Sequence, residues 1–191
     1  GRVNSGAPHL VLNNVHNYGS VKSEGKSTEN TYVGGCLGYI TLPNAESADT
    51  PAYHWENVTN SGTVYASGNT NHSVRLGGVA GHLVGGTTTY YRIKDVKNLA
   101  DGDVTMACNA NVSNGTGNIP YIGGTYGFIN YINHTNSENA GDVIWAAEGA
   151  STTTAEIDGC VGGVAGYHRY GPAQSSKNSG NLYFKAANPR I

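Results

Sequence analysis

Val161-Gly162-Gly163-Val164-Ala165-Gly166-Tyr167 is the stretch on which the fold turns, because the chain carries four versions of it. The others are Val33-Gly34-Gly35-Cys36-Leu37-Gly38-Tyr39, Leu76-Gly77-Gly78-Val79-Ala80-Gly81-His82 and Ile122-Gly123-Gly124-Thr125-Tyr126-Gly127-Phe128. Their first glycines lie 43, 46 and 39 residues apart. Three glycines in six positions destabilise any helix, by about 1 kcal/mol each relative to alanine. Within a strand they mark bulges or places where another backbone comes close. The second glycine of the box (Gly35, Gly78, Gly124, Gly163) recurs although the residue after it changes among Cys, Val and Thr. A fixed glycine among variable neighbours indicates a backbone requirement, either positive φ or contact with an adjacent coil.

Between the glycine boxes lies a second motif, an Asn-Gly box. It reads Val15-His16-Asn17-Tyr18-Gly19-Ser20-Val21, then Val58-Thr59-Asn60-Ser61-Gly62-Thr63-Val64. Looser copies start at Val96 and Asn136, and Lys177-Asn178-Ser179-Gly180-Asn181-Leu182 is the last. With Asn17, Asn60, Asn98, Asn136 and Asn178 as anchors, the separations are 43, 38, 38 and 42 residues. Asn bonds its own backbone in turns and Gly supplies turn geometry without steric cost, so each box is a turn feeding a strand. The two motifs alternate strictly. Repeats of 20 to 50 residues indicate solenoids, propellers or arrays. Propeller blades need four strands and usually a tryptophan signature, whereas Trp55 and Trp145 lie outside the boxes. The expected fold is therefore an all-β parallel β-solenoid in a single repeat domain, 1–191. It has about four and a half imperfect repeats of roughly 40 residues, near 11–54, 55–94, 95–132, 133–174 and 175–191. Each repeat makes one wide coil or two narrow ones.

Composition agrees. Glycine numbers 28 of 191 residues and tyrosine 13, net charge is −2, and charged residues are only 13%. Low net charge with many aromatics argues for an ordered chain. Eleven basic residues without a Lys/Arg stripe argue against nucleic acid as a partner. No apolar run approaches the ~20 residues of a membrane span. The chain starts Gly1-Arg2 without Met, so neighbouring domains of a longer chain are expected. Cys36, Cys108 and Cys160 are an odd number without CxxC spacing, which favours small buried thiols over a zinc site or a Cys36–Cys160 disulfide.

At these boxes the chain resembles the GLUG-type repeats of bacterial secreted and surface proteins, including those accompanying immunoglobulin A peptidases. It also resembles the Asn-Gly / Gly-Gly-Val-Ala-Gly segments of large Bacteroidetes cell-surface proteins. Val161–Gly166 and Leu76–Gly81 carry the likeness, with Asn60-Ser61-Gly62 and Asn178-Ser179-Gly180, and it spans roughly 11–184. The copy at Ile122 departs from it, with Thr125-Tyr126 in place of Val-Ala. The resemblance implies an extracellular or cell-surface β-rich stalk or adhesive module, and it brings no catalytic residues.

Side-chain chemistry adds little to that. Tyr39, His82, Phe128 and Tyr167 share one box position, so coils stacked about 4.8 Å apart would form a ring ladder. Tyr53, Trp55, Tyr90 and Tyr91 occupy the variable segments between boxes and are the ligand-binding candidates, since loops on a solenoid gather on one side. Asp103 and Asp142 align after the Asn-Gly glycines and Asp101 lies close by; adjacent carboxylates bind calcium or pair in a glycosidase, although a solvated face is the simpler reading. His54, His72, His82 and His134 lack metal-ligand spacing. Catalytic residues, metal and cofactor are all expected to be none. The expected function is a non-enzymatic extracellular module, stalk or adhesin-like, whose partners would be a glycan or a host or cell-surface protein. The alternative is a carbohydrate-binding or polysaccharide-processing β-helix, by fold analogy.

Overall fold

The computed structural model describes residues 2–3, 10–24, 29–42, 53–67, 72–87, 90–107, 119–146 and 159–185. All regular structure among them is β, and every strand pairing is parallel. One repeat makes one coil, and the coils contribute parallel strands to four sheets, S1 to S4. S1 contains Leu12–Asn17, Trp55–Asn60 and Tyr91–Asn98, then Ile132–Thr135 with Glu138–Asn139, then Ala173–Gln174 with Lys177–Asn178. S2 contains Val21–Ser23, Val64–Ser67, Val104–Ala107, Val143–Ala146 and Leu182–Lys185. S3 contains Thr31–Gly34, Val74–Gly77, Tyr121–Gly123 and Cys160–Gly162. S4 contains Arg2–Val3, Leu37–Thr41, Ala80–Val84, Tyr126–Asn130 and Ala165–Arg169. The Asn-Gly boxes form the S1–S2 corner and the glycine boxes the S3–S4 corner. The chain is thus a parallel β-solenoid.

Two hydrophobic columns run along the stack. S2 and S3 enclose one, in which Val64, Val104 and Val143 face Leu76 and Ile122. The first box residues are in register as Val33, Leu76, Ile122 and Val161. The first three are buried, and Val161 is half-buried on the last glycine-box coil. S1 and S4 enclose the other column, around Trp55, Ile93, Leu83 and Ile129. Burying each such side chain contributes roughly 1.5–3 kcal/mol. S2 shows period-2 alternation, with Val64 and Ala66 inward and Tyr65 and Ser67 outward. S1 breaks it. Asn14, Asn57, Asp95, Asn136 and Ser175 form a column of left-handed residues with φ of 52–55°. Each reverses the alternation, so Trp55, Val58 and Asn60 all face inward.

Between the two apolar columns the motifs meet. Asn17, Asn60, Asn98, Asn139 and Asn178 form a ladder in which each Nδ2 donates to the next Oδ1 at 2.7–2.8 Å. The same Nδ2 groups donate to the carbonyls of Gly19, Gly62, Gly102, Gly141 and Gly180, which closes the local turns. The fourth anchor is therefore Asn139 and not Asn136, and the anchor separations are 43, 38, 41 and 39 residues. Asn139 is the residue that reaches back to the glycine two positions on. Asn136 instead sits in the left-handed column and donates to Asp95. A Cβ at Gly35, Gly78 or Gly124 would overlap both the ladder (Asn60, Asn98, Asn139) and the glycine carbonyl of the next coil; at Gly163 it would overlap Asn178. Close approach, not positive φ, is what these glycines serve.

Candidate functional site

The structure separates the four sequence candidates. Trp55 and Tyr91 are fully buried (0% exposed each) in the S1–S4 column and present no surface to a ligand. The left-handed Asn57 and Asp95 turn them inward, against the expectation that the variable segments are loops. Tyr91 packs on His54, with ring centroids 4.1 Å apart. Tyr53 is half-buried, with the Lys94 Nζ 5.3 Å from its ring centre. Tyr90 is 41% exposed.

The glycine-box rings do form a ladder. Tyr39, His82, Phe128 and Tyr167 stack with centroids 4.8, 4.8 and 5.1 Å apart and interplanar angles of 17° or less. A second column from S3, Tyr32, Arg75, Tyr121 and Cys160, lines up beside it. The Arg75 guanidinium lies 4.3 Å from the Phe128 ring centre and 5.4 and 5.7 Å from Tyr32 and Tyr121. It also bonds His82 Nδ1. Burial, then the Arg75 charge, holds the His82 imidazole near pKa 3 and so neutral at ordinary pH. This double column spends its ring faces on one another. Its chemistry is cohesion between coils, with Arg75 filling a place where the neighbouring coils carry tyrosine.

A third aromatic column lies at the S4–S1 corner. Tyr90, Tyr131 and Tyr170 stack with centroids 6.2 and 4.9 Å apart and planes within 23°. Tyr170 is 49% exposed, and the Arg169 guanidinium sits 4.7 Å from its ring centre and donates to its hydroxyl at 3.1 Å. Tyr131 and Tyr170 have φ of 56° and 54°, left-handed backbone that bulky side chains rarely adopt. Of these residues the motif reading singled out only Tyr90. The signal for the others was present: the three tyrosines follow the separations of Asn98, Asn139 and Asn178, 41 and 39 residues.

The remaining chemical groups are tied into the scaffold. Asp103 Oδ1 accepts from the Asp142 amide, and Asp142 Oδ1 accepts from the backbone and side-chain nitrogens of Asn181, at 2.9–3.0 Å. These carboxylates bind the next coil. His134 and Ser137 replace Ile93 and Val96 of the coil before, facing inward. Tyr126 OH, Ser137 Oγ and His134 Nδ1 are linked at 2.8 and 3.0 Å, while His134 Nε2 is buried without a hydrogen-bond partner among the described residues. Burial, then the nearby His168, holds His134 near pKa 4. Cys36 and Cys160 are half-buried thiols that are not joined in a disulfide. Burial pushes the Cys36 thiol up to about 11 while Sγ donates to the Thr59 carbonyl, which leaves little reactive thiolate. Cys108 lies outside the described residues. Among the described residues no three His, Cys, Asp or Glu side chains are placed to hold a metal ion. Comparisons with protein families, curated proteins and solved structures gave no match.

Proposed function

We propose that this chain is an extracellular display module, stalk or adhesin-like, of a bacterial cell-surface protein. The observation behind this reading is the asparagine ladder, which runs from Asn17 to Asn178 and hydrogen-bonds every coil to the next. Such a ladder suits a structure that must hold its length and present an exterior without rearranging. Antibody labelling of intact source cells tests the placement. Strong labelling before permeabilisation is the expected result, and labelling only afterwards overturns it.

A second reading, carbohydrate binding, has its own support in the exposed tyrosine column at the S4–S1 corner. A glycan array probed with the isolated chain tests it, and a blank array counts against it.

A further inference from the structure

The two outward ring columns differ in what holds them. The glycine-box ladder is half-buried and braced by a second column of side chains. In the Tyr90–Tyr131–Tyr170 column the one side chain laid against a ring among the described residues is Arg169 on Tyr170, and the two later tyrosines are set on left-handed backbone. Asn or Gly suits that backbone, as the chain itself demonstrates with Asn14, Asn57 and Asn136 in its other left-handed column. Placing tyrosine at the corner twice works against local geometry. Backbone strain of this kind, held in place by the surrounding structure, clusters at binding sites.

The rings stack on one another, so their faces are occupied and their edges and hydroxyls remain. Tyr90 and Tyr131 hydroxyls have no hydrogen-bond partner among the described residues. The column therefore offers a line of hydroxyls rather than a flat stacking platform. It repeats once per coil, at the ring separations of 6.2 and 4.9 Å. An extended chain of pyranose rings advances by a similar length per sugar. The flanking positions set the charge. Arg92 is exposed on one side, in register with Asn133. Arg169 is exposed on the other, held by Tyr170 and with no carboxylate in ion-pair range among the described residues. A guanidinium fork matches a carboxylate with two parallel hydrogen bonds.

We propose that Tyr90, Tyr131 and Tyr170, with Arg92 and Arg169 beside them, form a binding strip for an extended uronate-bearing polysaccharide lying along the coil stack. The proposal deepens the carbohydrate-binding reading and rests on it. Asparagine gives a discriminating test because it fits left-handed backbone. Tyr131→Asn and Tyr170→Asn should keep or raise the melting temperature while weakening binding to sodium polygalacturonate by about tenfold or more. Tyr183→Asn, at an exposed tyrosine of S2, should leave binding unchanged. Arg169→Gln should reduce binding to polygalacturonate without altering the fold, and it carries the test if Tyr131→Asn unfolds. Neutral hydroxyethylcellulose should bind the wild-type chain more weakly than polygalacturonate. Wild-type affinity in both tyrosine variants overturns the strip even if the glycan array is positive. Equal affinity for the neutral polymer overturns the acidic class, and no binding to either polymer overturns the proposal. None of these results bears on the cell-labelling test of the display module.

Discussion

Gly78 and Val79 are adjacent, both buried, and opposite in what they tolerate. A Cβ at Gly78 would overlap the Gly124 carbonyl and the Asn98 amide at once. Backbone and a bonded ladder residue cannot give way, so Gly78→Val should cost on the order of 2 kcal/mol or more. Val79→Ile adds one methylene within an apolar column and should cost less than about 1.5 kcal/mol. Urea melts compare them, and equal midpoints would show that the glycine is merely permissive. Asn98 is the other residue that admits no substitute. Its side chain accepts from Asn60 and donates to Asn139 and the Gly102 carbonyl, all in a fully buried site. Asn98→Ala strands groups on both neighbours and should cost about 2–4 kcal/mol. Asn17→Ala, at the part-exposed end of the ladder, should cost under about 1 kcal/mol.

At the level of elements, coils differ in what they place in shared columns, and acid should reveal it. His82 in the ring ladder and His134 in the S1–S4 core both have pKa values lowered by burial, to about 3 and about 4. The unfolded imidazole titrates near 6.5. Between these values the unfolded chain binds protons that the folded chain refuses. Their contribution is therefore fully present above about pH 6.5 and is lost as pH falls toward 4 and then 3. Thermal melts should show a steady loss of stability over that window. His82→Phe, which inserts a ring like that of neighbouring Phe128, should flatten part of it. An unchanged acid limb in the variant would refute the assignment to His82. The ion pairs on the outer face of S1, Lys94–Glu56 at 3.1 Å and Lys97–Glu138 at 3.2 Å, are part-exposed and screened by solvent, so they add little to stability.

Over the whole molecule, each coil touches only its neighbours, so stability is roughly a sum of coil and interface terms. Interior coils have two interfaces. The strands from Ala173 to Lys185 have one described neighbour, and the side chains of residues 173–184 are largely exposed. Amide exchange should accordingly be slowest in the described strands between Trp55 and Trp145 and fastest in those between Ala173 and Lys185. Uniform protection across all coils would mean a single cooperative unit in place of a nearest-neighbour stack.

Much of this architecture is legible in the chain alone, because stacking turns distance in sequence into distance in space. Residues one coil apart lie side by side in the sheets, so the glycine boxes, their first apolar residues and the ring ladder could be aligned by eye. What periodicity does not carry is the direction of side chains past an irregular residue. Asn57 and Asp95 adopt left-handed backbone and invert the alternation, which takes Trp55 and Tyr91 inward. Nor does it reveal that Gly78 of one motif lies against Asn98 of the other, since that contact crosses the coil and depends on where each corner turns. The choice of Asn139 over Asn136 as ladder member, and the pairing of Tyr126 with Ser137, were decided in the same way. Local sequence specifies strands, turns and the coil-to-coil register. Which corner packs against which is settled only when four sheets pack around two apolar columns and the buried asparagines of the ladder find their partners.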